Sequence, residues 1–143
     1  MIRPYNADKD ADRVLDIWLK SSIQSHDFIA EFFWRSQIDD MRNVYLPNSE
    51  TFVLEKDGQI KGFLSLHENR LAALFIDTNS QGHGFGKELL NEAKKRRQAL
   101  ELTVYSANTR ARSFYQACGF KLINEQSDPH TGHSEQVMRW QRH

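Results

Sequence analysis

The stretch SQGHGFGKELL, Ser80 to Leu90, decides how this chain is read: Gly82, Gly84 and Gly86 fall within five residues and lead at once into charged and leucine positions at helical spacing. LAALFID, Leu71 to Asp77, precedes it, a near-continuous apolar run with the pattern of a strand covered on both faces. The unit is therefore strand, glycine turn, helix. The first amide hydrogens of a helix lack intrahelical partners and its dipole presents positive potential there, so a turn free of blocking side chains can wrap a phosphate or pyrophosphate. The amides from Gly82 to Lys87 are expected to converge on such an anion, with the side chains of Lys87 and His83 as added donors. A bare strand-to-helix turn would need only one or two glycines.

Spacing narrows the ligand. A Walker loop places four residues between its glycine and its Gly-Lys pair and then Ser or Thr, whereas Gly82 and Gly86 enclose three residues and Lys87 precedes Glu88. A dinucleotide fingerprint runs Gly-x-Gly-x-x-Gly early in a βαβ unit, but here the spacing is Gly-x-Gly-x-Gly in mid-chain. Both readings are set aside.

Working outward, Ile2 and Arg3 open a strand, and Ala7 to Gln24 places Ala11, Val14, Leu15, Trp18 and Ser22 on one helical face. A second helix is expected with Trp34, Ile38, Met41 and Tyr45 in register and Pro47 at its end. TFVLEKDGQIKGFLSLHE reads as a hairpin about Asp57-Gly58, because a two-residue turn needs the positive backbone angles these residues tolerate. After the glycine stretch a helix to about Gln98 carries Leu89, Leu90 and Ala93 inward, with KKRR (Lys94 to Arg97) as a solvated end that suits the dipole. LELTVY is a strand, Asn108 caps the helix TRARSFYQAC, Gly119 stops it, and FKLIN and EQVMRWQ are closing strands. The expected fold is an α/β (α+β) sandwich: one mixed, largely antiparallel sheet of about six or seven strands with flanking helices.

At 143 residues, 39% of them hydrophobic, the chain fits a single domain over residues 1–143. Lys plus Arg number 19 and Asp plus Glu 19, so no overall field steers the protein to nucleic acid, and no apolar run approaches the roughly 20 residues that span a bilayer. Cys118 is the lone cysteine and the amino terminus lacks a signal-peptide core, so a cytoplasmic setting is expected. The six histidines, with one distant cysteine, show no zinc spacing, and no metal is expected.

Gln81, Gly84 and Gly86 fit the pattern Gln/Arg-x-x-Gly-x-Gly/Ala, and VYSANTRARSFYQACGF supplies a strand, Asn108, then a helix with Tyr115 ahead of Gly119-Phe120. With the IRP opening and the order of elements, the chain resembles the GNAT family of N-acetyltransferases, in particular its small single-domain bacterial members, along nearly its whole length. The resemblance implies acetyl-coenzyme A (acetyl-CoA) as co-substrate, its pyrophosphate held by Gln81, Gly82, His83, Gly84, Phe85, Gly86 and Lys87. It also implies that LAALFID and LELTVY run parallel but splay, the pantetheine arm bonding the freed backbone of Leu74, Phe75 and Ile76. Asn108 would bond coenzyme or strand backbone, and Tyr115 would give the departing thiolate its proton. The reaction implied is direct transfer of acetyl in a ternary complex to a primary amine: a peptide or protein lysine, an amino terminus or a small amine. A monomer or homodimer is expected.

The base departs from part of the family. Some members carry Glu on the strand reading LELTVY here, and the matching position is Thr103, which cannot take a proton at neutral pH. Glu101 lies two residues farther back; Glu68, after FLSLHE, and His26 with Asp27, between the first two helices, are the other candidates. Tyr105 is read as a substrate contact or a packing residue. The missing carboxylate keeps a rival open, a non-catalytic acyl-CoA sensor or interaction module.

Overall fold

The computed structural model describes residues 1–143. β1 (Ile2–Pro4) leads into α1 (Ala7–Ser25), whose first turn is closed by Asn6 Oδ1 accepting the Asp8 N–H at 3.0 Å. Arg3 makes a two-pronged ion pair with the buried Asp10, which pins the strand to the helix. Val14, Leu15, Ile17 and Trp18 of α1 are buried, as the periodicity requires.

The second expected helix is instead broken into α2 (Glu31–Ser36), α3 (Ile38–Asp40) and a π-helical turn, Met41–Tyr45. The wide turn, seen in Leu46 N–H donating to the Met41 carbonyl at 3.0 Å, rotates the next residue by an extra step. Leu46 therefore enters the core at 3% exposure, while Tyr45, expected on the buried face, is 49% exposed.

β2 (Glu50–Lys56) and β3 (Gln59–His67) form the hairpin, with Asp57 at φ 55° and Gly58 at φ 75° supplying the turn. β4 (Arg70–Ile76) follows, then α4 (Phe85–Arg96), β5 (Ala99–Tyr105), α5 (Thr109–Ala117), β6 (Lys121–Ser127) and β7 (Ser134–Gln141). The seven strands make one sheet in the order β1-β2-β3-β4-β5-β7-β6, antiparallel except for β4 and β5. Those two are in register at a single pair, Arg70 with Glu101, and then separate.

Two cores flank the sheet. Leu89, Leu90 and Ala93 of α4 pack with Leu64, Leu66, Leu100, Leu102 and Met138 on one side, and α1 with Trp34, Val53 and Phe63 on the other. Each fully buried leucine contributes roughly 1.5–3 kcal/mol, so these faces hold the helices in place. β4 is where the apolar run misleads: Leu71 is buried, but Ala72 is exposed and Ala73 to Ile76 are only partly covered. With β5 diverging, the run lines a cleft rather than an interior. The KKRR end of α4 is likewise tied down: Lys94 Nζ donates to the Cys118 carbonyl, and Arg96 and Arg97 both pair with Glu50. No helix is long and apolar enough to cross a membrane.

Candidate active site

The connection from β4 to α4 keeps its backbone donors free. From Gln81 to Lys87 no main-chain N–H has an acceptor in the protein; bonding resumes when Glu88 N–H donates to the Gly84 carbonyl at 3.1 Å. Gly82 and Gly84 turn through φ 85° and 81°, and a Cβ on either would meet nothing of the protein within 4 Å. Their conformation, not crowding inside the fold, is what calls for glycine.

A cleft of about 750 Å³ opens above this run, lined by Gln81, Gly82, Gly84, Phe85, Gly86 and Lys87 and by Leu74, Phe75 and Ile76 of β4. His83 is the exception among the expected loop residues: it is exposed and lies against the Phe85 ring, outside the lining. Arg110, at the start of α5, faces the same cleft and was not singled out from the sequence. Free amides beside Lys87 and Arg110 suit a diphosphate. A second cavity of about 530 Å³ is walled by β4, β5 and the β6–β7 loop. The two meet at His26, Leu74, Phe75, Asn108, Ala111 and Tyr115.

At that junction the Tyr115 ring packs edge-on to Phe114 and Phe120. Its hydroxyl has no hydrogen-bond partner in the protein, and burial pushes its pKa above the ordinary tyrosine value. Asn108 caps α5 by accepting the Ala111 N–H through Oδ1 at 3.1 Å, which turns its Nδ2 toward His26 Nε2 at 3.2 Å. The cap fixes which end of the amide faces the ring, so Nε2 is the accepting nitrogen and Nδ1 carries the proton. His26 is 8% exposed among Phe28, Trp34 and Tyr105, and burial pushes its pKa down to about 4.

The fold sets the candidate bases apart from one another. The lone pair of His26 is engaged by Asn108, which leaves the ring a neutral donor. Asp27 is exposed and lines neither cavity. Glu68, at φ 54° in the β3–β4 turn, is exposed and lies at the closed end of the strand pair, where its carbonyl accepts from Arg97 Nε. Glu101 is exposed at that same junction. The Thr103 hydroxyl faces the second cavity and accepts from Arg70 at 3.2 Å. Tyr105 does line the second cavity, donating to Asp128, a residue the sequence reading passed over because a lone Asp before Pro129 reads as a turn.

Free main-chain donors at a helix start and a gap between two parallel strands suit an acyl-coenzyme A, the co-substrate of a class of transferases. A family model described as an acetyltransferase (GNAT) domain matches residues 12–141. Peptidyl-lysine N-acetyltransferase YiaC of Escherichia coli (strain K12) is 37% identical over 128 residues, covering 89% of this chain and 88% of that protein. Peptidyl-lysine N-acetyltransferase YjaB of Salmonella typhimurium is 30% identical over 115 residues, covering 80% and 79%. The solution structure of apo YjaB from Escherichia coli superposes with a TM-score of 0.86 at 25% identity, covering 100% of this chain and 98% of that one. This chain belongs to the GNAT acetyltransferases: it moves an acetyl group from acetyl-CoA to an amine.

Proposed function

We propose that the amine is a peptidyl lysine, delivered through the second cavity, and that Tyr115 serves as general acid. The names of YiaC and YjaB support the lysine. What carries the reading is the junction itself, where an unbonded tyrosine hydroxyl stands at the only place the two cavities share.

The free amides of Gln81 to Lys87, with Lys87 and Arg110 beside them, hold the coenzyme's diphosphate, and the unpaired edge of β4 at Leu74 to Ile76 takes its amide-bearing arm. Acetyl-CoA supplies the activated thioester. The amine lone pair forms the new C–N bond as the C–S bond breaks; the sulfur takes the Tyr115 proton, and one nitrogen proton passes out to restore it. Tyr115 is protonated at neutral pH even at the ordinary tyrosine pKa, so its proton is in place to be donated. Deprotonation of the acceptor falls outside His26 and Thr103, so turnover depends on the free-amine fraction.

Mixing the protein with acetyl-CoA and a panel of lysine peptides, amino-terminal peptides and small amines, and following thiol release, tests the acceptor. Lysine peptides are expected to lead, and preference for small amines would overturn the assignment. Tyr115→Phe is expected to lower kcat by about a hundredfold with acetyl-CoA affinity retained. A parental rate in that variant would remove Tyr115 from the chemistry.

A further inference from the structure

We infer that Asp128, together with Tyr105, is the docking site for the acceptor's ammonium group; this rests on the reading of the second cavity as the acceptor's. The protein buries two aspartates, and they are served differently. Asp10, 2% exposed, has Arg3 on both carboxylate oxygens at 2.8 and 3.0 Å. Asp128, 8% exposed, has no cationic side chain within ion-pairing reach.

Asp128 is bonded instead by neutral donors: the His130 backbone N–H at 2.9 Å to Oδ1, and the Thr131 hydroxyl at 3.2 Å and the Tyr105 hydroxyl to Oδ2. Burial alone would raise its pKa, but these bonds outweigh burial and bring it below the usual value, so the group is an anion at neutral pH. Of the charged and titratable groups around it, His130 adds a weak cationic influence without forming an ion pair, and none of the others neutralises it. Glu135 of β7, opposite Tyr105 in register, adds a second acid. His130 is exposed, His133 packs on Phe28, and His26 from α1 is neutral. Arg70, on β4, is turned to Thr103.

A buried carboxylate without a counter-cation is costly, and the cost is relieved when a ligand brings the cation. Tyr105 has committed its proton to Asp128, so toward the cavity its oxygen has only lone pairs to offer. A primary ammonium, with three N–H donors and a positive charge, matches that wall; a neutral alcohol does not.

The test uses the full chain saturated with coenzyme A, so that nothing turns over, and n-butylammonium as a stand-in for the lysine side chain. Amide chemical shifts at Tyr105 and residues 128 to 131 should move on titration at pH 7. Asp128→Asn should weaken binding by about tenfold or more, and n-butanol should bind the parent no better than the variant. Parent-like affinity in Asp128→Asn, or n-butanol binding as well as the ammonium, would overturn the inference. Should that variant lose coenzyme affinity through misfolding, Tyr105→Phe, which keeps the His130 and Thr131 bonds to Asp128, decides instead: weakening of about threefold or more supports the site and unchanged affinity refutes it. Failure of the parent to acetylate lysine peptides would sink the acceptor reading while leaving this binding result to stand separately.

Discussion

His26, just past the end of α1, is buried among Phe28, Trp34 and Tyr105 with its ring against Asn108. Its place between two helices marked it, yet its chemistry is set by Asn108, 82 positions away, through a cap that was itself readable from the sequence. Folding lowers its pKa from 6.5 to about 4, so between those values the unfolded chain binds more protons than the folded one. Stability is therefore complete above pH 6.5 and falls as pH drops toward 4, by about 3 kcal/mol if only this group acts. Melting curves from pH 7 to 4 should show the decline in the parent and a flatter profile in His26→Phe; a flat parent would show that the ring is not buried as described. Asn108→Ala should lose both the cap and the ring contact, about 2 kcal/mol in denaturant unfolding. Asn108→Asp keeps the cap and places an acid beside the ring, so the His26 pKa should rise, measurable by NMR titration.

Among the elements, hairpin and glycine turn were plain because turn chemistry is local: Asp57-Gly58 and the clustered glycines need no tertiary knowledge. The π-helical turn was hidden because a period of three and four fits an unbroken helix equally well until the core selects Leu46 over Tyr45. β4 was misread for the opposite reason, since apolar side chains serve a cleft wall as well as an interior. Gly84→Ala forces an L residue to φ 81°, and should weaken acetyl-CoA binding about tenfold in calorimetry while costing only about 1 kcal/mol of stability. Gly62→Ala on β3 is the harsher change. Its Cβ would stand 2.6 Å from Ile76 Cδ1 and 2.8 Å from the Phe75 carbonyl oxygen, a backbone atom that cannot yield cheaply. The loss should be about 1–3 kcal/mol by thermal unfolding, and a variant as stable as the parent would contradict the close approach of β3 and β4.

For the molecule as a whole, the sheet is two antiparallel blocks, β1 to β4 and β5 to β7, that touch at one rung. The order of elements allowed one sheet with flanking helices to be expected, whereas the splayed parallel pair was implied by the family resemblance alone, because splay is a property of paired strands and leaves no trace in either strand by itself. Acetyl-CoA at a hundred times its Kd should add about 2.7 kcal/mol, raise Tm by several degrees, and slow hydrogen exchange along residues 71–76 by more than the general slowing that the added stability gives strands such as β2. Uniform slowing across both blocks would argue for global tightening instead. The lone rung also has a metrical consequence. A V whose arms join at Arg70 and Glu101 has a fixed depth, so its vertex is a stop, and any carbon added to the acyl donor competes with the acceptor proposed for the second cavity for the room above it. Each methylene added to the donor must be housed against that stop, so propionyl and butyryl donors should transfer progressively more slowly than acetyl.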